Sequence, residues 1–135
     1  LGADEVITPD EFVQTSGYDV ILELVGGPNM EANLNALNTG GRISVIGVGA
    51  GGSANLNLLA LMQKRAAIYG STLRARPLDQ KADAARRVEA DVVPLLADGR
   101  VRVPVLATYG LDEVEAAYDR FAAGGKLGKI VLTTT

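Results

Sequence analysis

The sequence predicts an α/β protein built on a parallel sheet. Two apolar runs, Tyr18–Val25 and Arg42–Val48, are too short for core helices and read as strands buried on both faces. Helical apolar spacing follows the first of them at Met30, Leu34 and Leu37. Glycines punctuate the strand ends, at Gly26-Gly27 and again from Gly47 to Gly52. Strands alternating with helices in this way form parallel sheets with right-handed crossovers.

Each element has its own signal. Glu5–Thr8 reads as a short strand. Thr8 then caps a short helix over Asp10–Thr15, with Pro9 at its first position and Glu11 closing a capping box. After the strand Tyr18–Val25, Pro28 opens a helix over Asn29–Leu37, and Gly40-Gly41 stops it. A glycine-rich loop follows the strand Arg42–Val48. Leu58–Lys64 reads as a short helix and Ala66–Gly70 as a third strand of the alternation. Leu78–Asp98 is the longest helical pattern, its apolar residues mainly on one face, with Pro94 set to kink or break it. Val103–Tyr109 is extended. Asp112 caps a helix through Ala123 with Glu115 as its capping-box partner, and Lys129–Thr133 is a final strand.

The bulk composition bounds the function. A chain of 135 residues fits one compact domain, and 47% hydrophobic residues with a mean hydropathy of +0.16 suffice for a core. The net charge of −3 and isoelectric point near 4.9 leave no basic surplus for nucleic acid. The sequence contains neither Cys nor His, so disulfides, Cys/His zinc sites and Ser-His or Cys-His nucleophiles cannot form from these residues alone. No apolar run reaches the roughly 20 residues of a membrane-spanning helix. The opening Leu1-Gly2-Ala3-Asp4 carries neither an initiator Met nor a signal peptide. An excised or processed piece of a cytoplasmic protein is the expectation.

Three glycine or small-residue segments follow apolar strands: Gly26-Gly27, Gly47-Val48-Gly49 and Gly70-Ser71-Thr72. In a parallel sheet all three lie on one edge, where ligands of open α/β sheets bind. Small residues there let backbone groups approach a flat ligand; the alternative is flexible turns. A phosphate-binding loop of the G-x-G-x-x-G kind, opening a helix, does not occur. Asn55-Leu56-Asn57 separate Gly47–Gly52 from the next helical run.

The ordered segments GADEVI, YDVILELVGG, LNALNTGGRISVIGVGAGG, KRAAIYGSTLRAR and GKLGKIVL resemble the medium-chain dehydrogenase/reductase family, also called zinc-type alcohol dehydrogenase-like. GGRISVIG and GSTLRAR are most similar to its NAD(P)H quinone oxidoreductase branch. The enoyl reductase domains of polyketide synthases share much of the pattern. The resemblance implies the C-terminal part of a dinucleotide-binding domain, a partial Rossmann-like doubly wound parallel sheet of order 3-2-1-4-5-6, plus a C-terminal segment. Leu1–Asp4 would enter strand three. The catalytic domain, strands one and two and the phosphate-binding loop would lie outside the chain. A chain complete as it stands would need a rearranged or intermolecular sheet.

The resemblance also implies cofactor contacts. Pro9 would face the adenine and Gly27 a ribose. Ile46, Gly47, Val48 and Gly49 would lie beside the nicotinamide, and Ser71, Thr72 and Leu73 would meet its carboxamide. Lys126 matches a late cofactor contact, although Lys126 and Lys129 also read as solvated surface. No residue of the chain is assigned a catalytic role, and Tyr18, Tyr69, Tyr109 and Tyr118 read as packing. The implied activity is zinc-independent hydride transfer from NADPH, or NADH, to a quinone or an α,β-unsaturated carbonyl by a homodimeric parent, with the isolated chain inactive. The cofactor would supply the chemistry and the protein would position it. A noncatalytic dimerisation or binding module is the competing reading. A methyltransferase is disfavoured because VILELVGG does not continue into that class's pattern.

Overall fold

A computed structural model describes residues 2–134. Where the length predicts one domain, the described residues divide into two compact units, Gly2–Lys81 and 82–134.

The first unit is a three-stranded parallel sheet, β1 (Tyr18–Glu23), β2 (Leu37–Val45) and β3 (Ala67–Gly70), in that order. Helix α1 (Pro9–Phe12) precedes it, with the expected capping box. Thr8 Oγ accepts from the Glu11 N–H at 3.4 Å, and Glu11 Oε2 accepts from the Thr8 N–H at 2.7 Å. Helix α2 (Met30–Ala36) connects β1 to β2, and α3 (Leu58–Lys64) connects β2 to β3. α3 occupies the residues its pattern predicts. Asn57 caps it by accepting from the Ala60 N–H at 3.0 Å, and Arg65 closes it at φ 48°.

The strand period of two sorts the side chains. On one face Ile43 is fully buried and packs with Met30 and Leu37, joined by Ile21, Val45, Ala66 and Ile68. On the other, Val20, Leu22 and Tyr69 are half or more exposed. The expectation that β1 is buried on both faces is thus corrected: this unit lays its helical connections and core against one face only.

Other boundaries also move. Glu5–Thr8 is not a strand. Among the described residues β1 makes its ladder with β2 alone, so the segment has no strand partner for its backbone groups, and Val6 is exposed. Gly40-Gly41 does not end a helix; α2 stops at Ala36 and both glycines lie inside β2. The ladder steps from Tyr18↔Leu37 to Val20↔Arg42, and the surplus β2 residues bulge at Gly40, whose φ is +82°. β2 ends at Val45, so 46–48 belong to the following loop.

In the second unit, β4 (Val105–Gly110) and β5 (Lys129–Thr133) pair in parallel, separately from β1–β3, and α6 (Val114–Ala122) connects them. The long helical pattern is broken as Pro94 requires, into α4 (Leu78–Asp91), which spans the unit boundary in sequence, and α5 (Val93–Ala97). No residue of α4 is buried, so its apolar stripe is largely exposed rather than packed. Asp112 does not cap α6: the residue at its N-cap is Glu113, which makes no side-chain cap bond there, and Gly110 caps the turn that precedes it. Leu111–Glu113 form a 3-10 turn, and Glu113 Oε2 accepts from the Gly110 N–H at 3.0 Å. No helix among the described residues is long and apolar enough to cross a membrane.

Because Ile43 anchors the larger unit, Ile43→Ala is expected to cost about 2–5 kcal/mol and Ile43→Val about 0.5–1.5 kcal/mol. Urea unfolding of the two variants checks both; equal midpoints for Ile43→Ala and the unsubstituted protein would remove Ile43 from the core.

Candidate functional site

Register brings the site together. Glu23 pairs with Val45, and Val45 pairs with Gly70, so the three strands of the first unit end side by side. The loops that leave them start from one sheet edge, as the three glycine segments predict. Ser71 N–H donates to the Val45 carbonyl at 3.1 Å, and the Ile46 and Gly47 N–H groups donate to the Glu23 carbonyl at 2.8 and 3.1 Å.

The first two loops are laced backbone to backbone. Gly27 N–H donates to the Gly51 carbonyl at 2.8 Å, and Ala50 N–H donates to the Val25 carbonyl at 2.9 Å. This approach is what Gly27 and Gly47 serve. A Cβ on Gly27 would collide with the Ser53 carbonyl oxygen, and one on Gly47 would lie 2.5 Å from the Leu24 carbonyl oxygen. Gly49 differs: nothing lies within 4 Å of its would-be Cβ. The glycines therefore divide between those, such as Gly27 and Gly47, that close the rim and those, such as Gly49, that leave open space at it. Gly27 and Val48 line a hollow of about 190 Å³ together with Gly26, Val45 and Ser53.

The third loop is tied by Arg76. Its Nε donates to the Thr72 carbonyl at 2.9 Å and a terminal nitrogen to Ser71 Oγ at 3.2 Å, while its own N–H reaches the Leu73 carbonyl at 3.1 Å. Ser71, Thr72 and Leu73 are exposed. Ile46 and Val48 are also about half exposed, so apolar side chains stand at the rim.

Pro9 lies on a neighbouring wall. It lines a groove of about 560 Å³ shared with Phe12, Leu24, Val25, Pro28 and Asn29. Lys126 belongs to the other unit. Its ammonium sits 3.9 Å over the Phe121 ring and donates to the Phe121 carbonyl at 3.0 Å. The first unit thus gathers Gly27, Ile46–Gly49 and Ser71–Leu73 on one edge with Pro9 beside it.

Glu23 and Arg76 are not among the residues the sequence reading singles out. Glu23 is buried at the end of β1, and Oε1 accepts from the Val25 and Gly26 N–H groups at 2.5 and 2.7 Å. Oε2 accepts from Asn33 Nδ2 on α2. Burial alone would raise its pKa. Donation from Gly26, Asn33, Val25 and Asn29 outweighs it and holds the carboxyl below the ordinary glutamate value. Among the described residues no basic side chain pairs with it. The available signal was one acid inside an apolar run, with Leu24 and Val25 between it and Gly26-Gly27.

Fold and edge together describe the class: a parallel α/β sheet whose strand ends form an open, glycine-built rim of the kind that takes flat ligands. A family model described as zinc-binding dehydrogenase matches residues 1–132, and the chain belongs to that family. It is 32% identical over 136 residues to the acryloyl-coenzyme A reductase of Metallosphaera sedula, an alignment covering 98% of this chain and 38% of that protein. Among solved structures it is similar to a cobalt- and zinc-bound thermostable alcohol dehydrogenase from Pyrobaculum aerophilum, with TM-score 0.76, 28% identity and coverage of 98% and 37%. It is also similar to the quinone oxidoreductase of Thermus thermophilus, which was solved alone and with NADPH, with TM-score 0.69, 30% identity and coverage of 92% and 39%. The chain thus spans little more than a third of the length of these three proteins. The expected family and the parallel α/β class are borne out, and quinone oxidoreductases are among the proteins the chain is similar to.

The family description names zinc, and these residues do not fit it. The sequence has no Cys or His, and the described residues hold no group of three acids that could bind a metal.

The division among the glycines gives a direct test. Gly27→Ala is expected to destabilise the protein by at least about 1–3 kcal/mol, since the added methyl meets backbone. Gly49→Ala is expected to stay within about 0.5 kcal/mol of the unsubstituted protein. Thermal melts of the two variants check this, and equal losses would contradict the division.

Proposed function

We propose that this chain is the nicotinamide-side part of an NADPH-dependent, zinc-independent oxidoreductase that reduces quinones or α,β-unsaturated carbonyls. The observation that carries the reading is the open rim at Gly49 and Ser71–Leu73, beside strand ends held in register. NADH is the alternative reductant. When bound, the nicotinamide supplies the reducing chemistry, and the chain's residues position it.

Gly27 brings the first loop close enough for backbone to face a ribose. Ile46 and Val48 give apolar side chains against the ring, and Gly49 leaves space for it. The Ser71–Leu73 backbone, held by Arg76, offers N–H and C=O groups to a carboxamide. Pro9 forms a wall toward the adenine. The relatives' names support a reductase, and the NADPH complex of the Thermus protein supports the cofactor. The complete protein is proposed to be a cytoplasmic homodimer. Its catalytic domain and phosphate-binding loop would lie outside these 135 residues.

A second reading, a noncatalytic assembly module, is favoured by one observation. β3 is an edge strand of its sheet, and Tyr69 on it is exposed. The two readings separate by assay. The protein expressed from the complete reading frame is expected to oxidise NADPH with 1,4-benzoquinone or an enone as acceptor, followed by loss of nicotinamide absorbance. Chain 1–135 alone, without a G-x-G-x-x-G loop, is expected to show no micromolar NADPH binding. No turnover by the complete protein with either acceptor, together with dimerisation of chain 1–135, would establish the assembly module instead.

A further inference from the structure

We infer that Glu23 is a positioning residue for cofactor binding: its carboxylate sets the shape of the Val25–Gly27 turn at the cofactor-facing rim. The inference rests on the oxidoreductase reading above.

The geometry is that of an internal clamp. The two carboxylate oxygens divide their work. Oε1 gathers the consecutive N–H groups of Val25 and Gly26, which point into one small concavity. Oε2 takes the Asn33 amide, one turn into α2. One side chain thereby joins the end of β1, the turn that follows and the helix beyond it. The same residue's backbone carbonyl accepts from Ile46 and Gly47 at the start of the second loop. Glu23 is therefore the point at which two loops of the rim meet.

Its burial argues against an incidental role. A charged group removed from water is tolerated only where its hydrogen bonds replace hydration, and here they all come from the turn and from α2. The turn also needs such a hold. Gly26 lies at φ +114°, and Gly27 must sit against Ser53 and Gly51 for the loops to close. Neither residue has a side chain to fix that position. The anchor is supplied instead by the acid two and three residues before Val25 and Gly26.

A positioning role predicts a loss of binding without a loss of chemistry. In the protein expressed from the complete reading frame, Glu23→Gln keeps the size of the side chain and removes the charge. KM for NADPH is expected to rise about tenfold, the equivalent of losing one charged hydrogen bond, with kcat changed less than about twofold. Amide hydrogen exchange over 24–29 is expected to quicken, while β4 and β5 keep their rates. Should Glu23→Gln fail to fold, Asn33→Ala removes one donor and leaves the carboxylate on the turn. A smaller rise in KM, about threefold, is then expected.

If the unsubstituted protein turns over NADPH but neither variant moves KM or exchange in 24–29, Glu23 does not position the turn. If kcat falls while KM holds, the positioning role is likewise overturned. If the unsubstituted protein neither binds nor oxidises NADPH, the cofactor reading itself fails and takes this purpose for Glu23 with it, whatever the exchange rates show.

Discussion

The in-register parallel pairing of β1, β2 and β3 is the constraint on which the rest of the first unit depends. Side chains alternate along each strand, so this register puts Ile21, Ile43, Val45 and Ile68 on one face as a core. It also ends the strands together, at Glu23, Val45 and Gly70. A slip of one residue would expose Ile43, bury Arg42 and stagger the three loops. Core and rim are therefore specified by the same pairings, and a substitution in the core is felt at the rim.

At that rim, similar residues do different jobs. Gly27 and Gly47 allow two loops to touch backbone to backbone, which turns flexible segments into a fixed edge. Gly49 is surrounded by space, and the exposed Ser71–Leu73 backbone is held by Arg76 rather than by packing. Binding groups placed on loops need a rigid support. Here the support comes from carbonyl acceptors and one buried carboxylate, with little contribution from apolar side chains.

Much of this was legible in the sequence because its signals are local. The Thr8-Pro9-Asp10-Glu11 box, the helix Leu58–Lys64 and the strand Lys129–Thr133 fall where short-range pattern puts them. The placement of three glycine segments on one edge follows from parallel strands. What failed depended on partners distant in sequence. Glu5–Thr8 has strand-like residues but no ladder, and β1 has a doubly apolar run but one packed face. Gly40-Gly41 looks like a helix stop and is a bulge, because the pairing of Val20 with Arg42 demands extra residues between. Asp112 does not cap α6 because a 3-10 turn intervenes, in which Glu113, not Glu115, reaches back to the Gly110 N–H. Glu23 escaped notice because its donors are mostly backbone N–H groups, which no residue type announces.

The central claim is that the strand-end edge faces a nicotinamide dinucleotide. Its most direct test is amide hydrogen exchange on the complete protein with and without NADPH. The account predicts slowed exchange in 46–49 and 71–73 on adding NADPH, with α4 unchanged. NADPH binding without protection in either segment would contradict it.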